Sequence, residues 1–354
     1  MKLDNIHEER ALGIILGVSV LVLLMASNSS ALSNDGGGSW AYFKEITISN
    51  AGNTLTDYQS LISLDSSSFP TNAQINGADI RFTDADGNEL SYWIESWDYS
   101  GRRAKIWVNV TSIPTSGNVK IRMYYGNPNA TSASNGDTTF ELFDDFSGTQ
   151  VNAEKWNVHG SPSIDSGWLH ASVGDNLLSR NSFAGPYILE IRYKKITMPE
   201  GIGDAYSIYY DNTGNGLDSY SYHFNSYGNH WREVEDVDGG YYWSYDSPIS
   251  EQVQTLYNLK IYSDGVVFRT YRNDSLIYSS VLTNYFATRG KIKLGVYESG
   301  ESLFDDVRIR KYASPEPMVS LGAPLPPAPA PELPTIALMG IGMLGLSFVF
   351  KKKK

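Results

Sequence analysis

The chain has 354 residues, a net charge of −11 and no cysteine. A negative surface repels phosphate backbones and anionic lipids, which argues against nucleic-acid binding, and the absence of cysteine excludes disulfides and zinc–thiolate sites. With 41% hydrophobic and 13% aromatic residues the composition is that of a folded protein, and the 24 tyrosines favour strands.

The N-terminus carries an apolar run. Residues 11–26 are almost entirely apolar and lead to the small residues Ser29-Ser30-Ala31. About fifteen apolar residues before a small-x-small site are typical of a secretory signal and short for a bilayer span. We therefore predict that residues 1–31 are a signal peptide and that the rest is exported. An uncleaved anchor and an archaeal prepilin-type signal are the alternatives.

Residues 38–139 predict a small all-β domain. Apolar and polar residues alternate in six or so short segments that turn residues separate, as in Ile106-Trp-Val-Asn-Val110. This pattern, without a helical stretch, predicts an antiparallel β-sandwich. Asp84-Ala-Asp-Gly-Asn88 lacks the spacing of an EF-hand loop, so we interpret it as a hairpin turn. Four aromatic residues either cover the sandwich core or form a sugar-stacking surface: Tyr92, Trp93, Trp97 and Trp107.

Several stretches of this domain resemble a known family. The clearest are Ala78-Asp-Ile-Arg-Phe-Thr-Asp84, Leu90-Ser-Tyr-Trp-Ile-Glu-Ser-Trp97 and Met123-Tyr-Tyr-Gly-Asn-Pro128. They resemble the domain of unknown function 2341. The resemblance implies an exported prokaryotic surface protein in which a lectin-like sandwich often lies beside this domain. It implies no particular biochemical activity.

Residues 140–313 predict a second, larger β-domain. Ten or more strand-like segments in this stretch indicate a jelly-roll sandwich. The segment Tyr257–Leu276 resembles the paired hairpin strands of concanavalin A-like and laminin G-like domains, and Leu303–Arg310 resembles their closing strand. The resemblance implies a lectin- or glucanase-like sandwich. It leaves the ligand open, because a fold does not determine a function.

Aromatic residues crowd the middle of the second domain. Flat rings stack on the C–H faces of sugars while neighbouring polar groups bind the hydroxyls, so this composition favours a carbohydrate-binding face. Strand alternation sends about half of the rings into the core instead. The candidate ligand-binding residues are Tyr209, Tyr222, Trp231, Tyr242 and Trp243.

A carboxylate pattern in the same domain points to a different function. Glu233-Val-Glu-Asp-Val-Asp238 has acids at the three positions of the Glu-x-Asp-x-x-Glu motif of glucanases on this fold. A retaining glycosidase uses two carboxyl groups about 5 Å apart. Glu235 stands where the motif has Asp, and Asp238 stands where the motif has its last Glu. The glycines after Asp238 predict a turn at the position of the catalytic acid. We therefore predict a protein that is not an enzyme. In the alternative, a glycoside hydrolase acting on a β-glucan, the catalytic residues are Glu233, Glu235 and Asp238.

Two further kinds of site are predicted. In related sandwiches an acid of the closing strand holds a structural calcium ion against the opening segment, which implies Asp305 with Asp144 or Asp145 as oxygen ligands. The alternative is a salt bridge from Asp305 to Arg308 or Arg310. The histidines lack metal-binding spacing, which argues against a zinc hydrolase. Glycosylation sequons occur at Asn109, Asn129 and Asn273.

The C-terminus combines a spacer and an apolar tail. Residues 314–334 are rich in proline and predict a stiff, extended spacer, and residues 335–350 are apolar and precede four lysines. Pro331, Glu332, Leu333 and Pro334 with this tail resemble the PEP-CTERM sorting signal, most closely its archaeal PEF variant. The resemblance implies that a membrane protease-transpeptidase removes the tail. A retained transmembrane helix within residues 335–354 gives the same topology, with the body outside the cell.

Together these features predict an envelope-anchored cell-surface protein that binds an extracellular or cell-surface polysaccharide in adhesion. A structural component of the envelope or matrix is the near alternative. Structural calcium is the one cofactor that the sequence suggests.

Overall fold

The computed structural model describes residues 32–183, 185–197, 204–211, 219–225, 230–237, 240–247, 252–264, 267–281, 291–296 and 300–325. Between residues 204 and 247 it describes the path and pairing of the backbone. Within these ranges the chain forms antiparallel sheets and one short helix, α1 (Gly136–Thr139), so the all-β prediction is confirmed.

The strands fall into three groups along the chain. Before α1 lie β1 (Tyr42–Ser49), β2 (Leu55–Leu64), β3 (Arg81–Thr83), β4 (Glu89–Leu90), β5 (Tyr92–Asp98), β6 (Arg103–Ile113) and β7 (Asn118–Tyr125). After it lie β8 (Leu142–Asp144), β9 (Trp156–His159), β10 (Ser163–Asp165), β11 (Trp168–Ser172), β12 (Asn176–Ser179), β13 (Tyr187–Thr197), β14 (Asp204–Asp211), β15 (Ser219–Asn225), β16 (His230–Val237), β17 (Gly240–Ser247), β18 (Leu256–Ser263), β19 (Val267–Arg272), β20 (Ser275–Val281), β21 (Lys291–Gly295) and β22 (Glu301–Lys311). The last described strand is β23 (Met318–Leu325).

The first sandwich consists of two sheets with the orders β23-β1-β7-β3-β4 and β2-β6-β5. Its core follows the period-two alternation of the sequence, since Ile46 and Ile48 of β1 and Ile106 and Val108 of β6 are fully buried. Alternate residues of a strand face opposite sides of the sheet, so one face of each strand supplies the core. The hydrophobic pattern therefore predicted this core correctly.

Two larger sheets form the second sandwich. One has the order β10-β11-β22-β13-β18-β19-β20, with β8 also paired to β22, and the other has the order β17-β16-β15-β14-β21-β12-β9. Trp156, Tyr193 and Phe304 are buried between the sheets together with Ile292 and Leu294 of β21. The two-layer antiparallel arrangement is the jelly-roll type of architecture that the strand count predicted.

The chain returns to the first sandwich after β22. The sequence predicted a spacer from residue 314, but Met318–Leu325 forms an edge strand that pairs with β1. Val319 and Leu321 lie opposite Ile48 and Ile46 and pack on the first core. Two apolar residues spaced by two suffice to add a strand, even in a proline-rich stretch. The second sandwich is thus inserted between α1 and β23, and the chain crosses the junction twice.

Buried polar residues explain the motifs of the first sandwich. Asp79 is fully buried and accepts hydrogen bonds from the backbone N–H groups of Gln74 (2.8 Å), Gly126 (2.6 Å) and Asn127 (3.1 Å). Arg81 is also fully buried, and its guanidinium donates to the carbonyl oxygens of residues 33, 78, 80 and 131. Both side chains tie loops that carry no regular structure to the sheet. These motif residues are therefore structural.

Candidate functional site

Aromatic rings fill the junction between the two sandwiches. Trp93 and Trp107 from β5 and β6 meet Phe140 and Phe143 from the connecting segment, and the centroids of Trp93 and Phe143 are 4.7 Å apart. The guanidinium carbon of Arg308 lies 5.4 Å from the centroid of Trp93 and 5.3 Å from that of Trp107. Cation–π contacts of this kind are stronger when they are shielded from water. The junction is thus a small core of its own.

Glu190 is the electrostatic centre of this junction. Its buried carboxylate accepts hydrogen bonds from Nε of Arg308 (2.8 Å) and Nε of Arg310 (3.0 Å). Arg308 reaches Glu95 of the first sandwich at 3.5 Å, and Arg310 reaches Glu316 at 3.0 Å. Burial alone would raise the pKa of Glu190, but the two guanidinium groups outweigh it and lower the pKa to about 2. The sequence analysis missed this cluster, because the acid and the arginines lie far apart along the chain.

Arg310 and its neighbours line a cavity of about 240 Å³ at the junction. Nη1 of Arg310 is buried and has no hydrogen-bond partner, although Nε and Nη2 are paired with Glu190 and Glu316. Apart from Lys105, the acidic and basic side chains of this cavity form ion pairs with one another, Lys260 with Asp274 among them. This pairing makes the cavity a structural feature of the junction.

The predicted calcium ligands are engaged with other groups. Asp144 accepts hydrogen bonds from Nε1 of Trp156 (2.7 Å) and the N–H of Phe146 (3.0 Å). Asp305 forms a salt bridge at 3.1 Å with Arg192, not with the arginines at positions 308 and 310 that the sequence suggested. Across the described ranges, no three acidic or histidine side chains are grouped so that they could hold a metal ion. The calcium prediction, which also included Asp145, gains no support from this arrangement.

The five predicted ligand-binding aromatic residues lie on four neighbouring strands, β14 to β17. Their side chains are outside the described part of the structure, but the backbone register is not. One row of cross-strand partners runs Lys293, Tyr209, Ser221, Val234 and Trp243. The adjacent row runs Leu294, Ile208, Tyr222, Glu233 and Tyr245.

The burial of β21 distinguishes the two faces of this sheet. Leu294 is fully buried in the core, whereas Lys293 is partly exposed. Because residues in one row share a face of the sheet, Tyr209 and Trp243 have the register of the outer face. The other three predicted residues have the register of the core face: Tyr222, Trp231 and Tyr242.

The predicted carboxylates occupy two alternate positions of β16. Glu233 is paired with Tyr222 and Tyr245, and Glu235 is paired with Tyr220 and Tyr242. Both positions therefore have tyrosines on both neighbouring strands. The third predicted acid, Asp238, lies outside the described residues.

The aromatic residues proposed as a sugar-stacking surface of the first sandwich are mostly buried. Tyr92 is 1% exposed in the first core, and Trp93 and Trp107 are 9% and 4% exposed at the junction. Trp97 stays partly exposed, and its ring packs on Phe69 with centroids 4.8 Å apart. These rings cover the core and the junction, as the alternative interpretation held.

The sequons differ in accessibility. Asn129 and Asn273 are exposed, whereas Asn109 lies within β6 and its Oδ1 atom is buried without a hydrogen-bond partner. Asn129 and Asn273 are thus more accessible to a modifying enzyme than Asn109, which is half-buried. The described residues therefore favour Asn129 and Asn273 as acceptors.

The predicted terminal signals lie outside the described residues. These are residues 1–31, the sorting motif at Pro331, Glu332, Leu333 and Pro334, and the apolar tail. In the described ranges no helix is long and apolar enough to cross a bilayer.

Solved structures similar to part of this chain include a carbohydrate-binding module and β-glucanases. The carbohydrate-binding module CBM66 from Bacillus subtilis is 15% identical, with 45% of this chain and 98% of that chain covered and a TM-score of 0.38. An endo-β-1,3-glucanase from Pyrococcus furiosus is 13% identical, with 49% and 94% covered and a TM-score of 0.42. The β-glucanase of Bacillus licheniformis is 12% identical, with 48% and 98% covered and a TM-score of 0.41.

These similarities correct one prediction. The sequence analysis predicted a protein that is not an enzyme, but most of the similar structures are glycoside hydrolases. The exchange of Asp for Glu at one motif position and of Glu for Asp at another was too weak a reason to exclude catalysis, because both side chains are carboxylates that differ by one methylene group. The prediction that the protein is not an enzyme is therefore corrected, and hydrolysis stays a candidate function.

The sequence comparisons match a shorter part of the chain than the structural ones do. No curated protein matches the chain. Residues 76–159 match the family described as domain of unknown function 2341. The matched segment runs from the loop before β3 through the junction to the end of β9, so it includes all four aromatic residues of the junction core.

Proposed function

We propose that the chain is a cell-surface protein that recognises a polysaccharide through the outer face of the sheet β14 to β17. The observation that carries this proposal is the register of Tyr209 and Trp243. Both lie in the row of the partly exposed Lys293, on neighbouring strands of one sheet that are rich in aromatic residues. Aromatic rings on a solvent-facing sheet can stack on sugar rings, and tyrosine hydroxyls can bind their hydroxyl groups.

The junction supports this function by making the two sandwiches one body. A binding face recognises an extended polymer best when it is held in a fixed orientation, since less freedom is lost on binding. The paired arginines, the aromatic core and the return of β23 supply that orientation. In the proposed arrangement the C-terminal segment that follows Leu325 tethers this body to the envelope.

The test of the proposed function is retention of the full-length protein on insoluble curdlan, cellulose and chitin. Binding to at least one polymer is expected for the wild type, with loss in the double variant Tyr209→Ala/Trp243→Ala. The matched control is Trp231→Phe, which keeps a ring at a position with the core register. Equal retention of the wild type and the double variant would contradict the assignment of this face.

Hydrolysis of a β-glucan is the second candidate function. The supporting observation is that Glu233 and Glu235 share one face of β16 and are flanked by tyrosine rows on both sides. Alternate positions of a strand bring two carboxyl groups to one face, as a retaining mechanism requires. Glu233 shares the core-face row of Leu294, however, so the register favours the binding function over hydrolysis. This candidate predicts release of reducing ends from a β-glucan and their loss in Glu233→Gln. Asp236→Asn, a charge change at the position that follows Glu235 and has the register of the other face, is the control.

A further inference from the structure

A groove that shares no lining residue with the cavity around Arg310 borders the junction core. It has a volume of about 640 Å³, within the usual range for ligand sites. Its apolar lining is formed by Trp93, Phe143 and Phe146, which are buried. Apart from Ile164, every residue of its lining belongs to the segment 76–159 that matches the family model.

Polar side chains line the rest of this groove, and some of their donor and acceptor atoms have no hydrogen-bond partner among the described residues. Gln150 is exposed and makes no hydrogen bond in the described structure. Asn135 and Asn152 each use Oδ1 to accept backbone N–H groups, which orients the side chain and leaves the amide nitrogen free. Amides held in this way can bind the hydroxyl groups of a saccharide without a large loss of side-chain entropy.

The groove has more acidic than basic side chains in its lining. The acidic residues of the lining are Asp137, Asp144 and Asp145, and its basic residue is Lys155. Nζ of Lys155 is already bound to Asp137 at 2.6 Å and to the carbonyl oxygen of Phe143 at 2.7 Å. One oxygen of Asp145 accepts the N–H of Ser147 at 3.1 Å, and the other has no partner among the described residues. The groove therefore has surplus negative charge and a free carboxylate oxygen.

We propose that this groove is a second saccharide-binding site, which takes an amine-bearing sugar such as a glucosamine unit and rejects uronic acids. The carboxylate of Asp145 binds the ammonium group, and the amides of Gln150 and Asn152 bind hydroxyls. A uronic acid would place its carboxylate against Asp137 and Asp145 without a free cation to pair with. This site is separate from the sheet face of the proposed function.

The test is calorimetric titration of the full-length protein with a β-1,4-glucosamine tetramer and, separately, a galacturonic acid tetramer. We expect binding of the glucosamine tetramer and none of the acidic one. Asp145→Asn keeps the acceptor for Ser147 and removes the charge, so it should weaken binding about tenfold or more. Glu154→Gln is the matched control, since Glu154 is exposed nearby but does not line the groove.

Each outcome decides the proposal. Absence of glucosamine binding, equal binding of both tetramers, or an Asp145→Asn variant indistinguishable from Glu154→Gln would overturn it. Tyr209→Ala/Trp243→Ala should bind the glucosamine tetramer as the wild type does. If that double variant loses the tetramer, the ligand sits on the sheet face, and the groove proposal fails while the proposed function stands.

Discussion

Removing the charge of Glu190 should uncouple the junction. In Glu190→Gln the two buried guanidinium groups lose the anion that they share, and the amide nitrogen of the new side chain faces a donor. Breaking a buried ion pair from one side costs about 3–5 kcal/mol, because the remaining charge is left without compensation. At about 2–4 °C per kcal/mol for a chain of this size, the melting temperature should fall by roughly 6–20 °C.

The assay is thermal unfolding followed by tryptophan fluorescence, which reports on all eight tryptophans, Trp93 and Trp107 of the junction among them. Glu45→Gln is the control, since Glu45 forms a partly exposed pair with Lys120 at 3.3 Å. Such a surface pair is worth about 1 kcal/mol or less, so this variant should change the melting temperature by no more than a few degrees. A Glu190→Gln variant that melts with the control would refute the central position of this carboxylate.

The pH dependence gives a second check of the same reasoning. The pKa of Glu190 is lowered from 4.5 to about 2 in the folded chain. A lowered pKa stabilises the fold above the unfolded value, and this contribution disappears as the pH falls from about 5 towards 2. The difference between the wild type and Glu190→Gln should therefore shrink over that window. A difference that stays constant down to pH 2 would show that the charge is not responsible.

Three further predictions follow from the described contacts. Asp79→Ala leaves the buried N–H of Asn127 and the partly buried N–H groups of Gln74 and Gly126 without an acceptor and should cost about 3 kcal/mol, measured by urea unfolding, with Asp86→Ala in an exposed turn as the control. Truncation after Pro317 should lower the melting temperature because it removes β23, whereas truncation after Leu325 should not; equal melting would mean that the strand adds no stability. Burial and the charge of Asp306 raise the pKa of Asp305 to about 7, so the fold loses stability as the pH rises from about 4 through 7. The melting temperature of Asp305→Asn should therefore rise relative to that of the wild type over this range. A constant difference in melting temperature would contradict this.

Alternation along the strands was the part of the fold that the sequence predicted best. The buried rows Ile46–Ile48 and Ile106–Val108 could be assigned in advance, because each strand buries one face regardless of its neighbours. The same rule could not locate β23, since the prolines around Val319 and Leu321 are equally typical of an extended spacer. Whether these residues form a strand or a spacer depends on pairing with β1, which is a tertiary contact.

The junction could not be predicted for a related reason. Glu190 and Arg308 are 118 positions apart, and each looks like an ordinary surface charge in a strand of alternating polarity. The outer face of β13 and β22 is buried only because the first sandwich covers it. In the same way, Arg192 rather than Arg310 pairs with Asp305, because the cross-strand register sets that neighbour.

The candidate binding face was partly predictable. Composition located the aromatic strands, but the division of their residues between two faces required the register to β21, where the burial of Leu294 and the exposure of Lys293 are known. That register gives Tyr209 and Trp243 outer-face positions and gives Trp231 a core-face position.

The most direct test of carbohydrate recognition is affinity electrophoresis of the full-length protein through gels that contain a soluble form of whichever polysaccharide retains it. We expect the polymer to slow the wild type and Trp231→Phe equally, and Trp243→Ala to migrate as it does without polymer. Equal retardation of Trp243→Ala and the wild type, or mobility that no polysaccharide affects, would contradict this expectation.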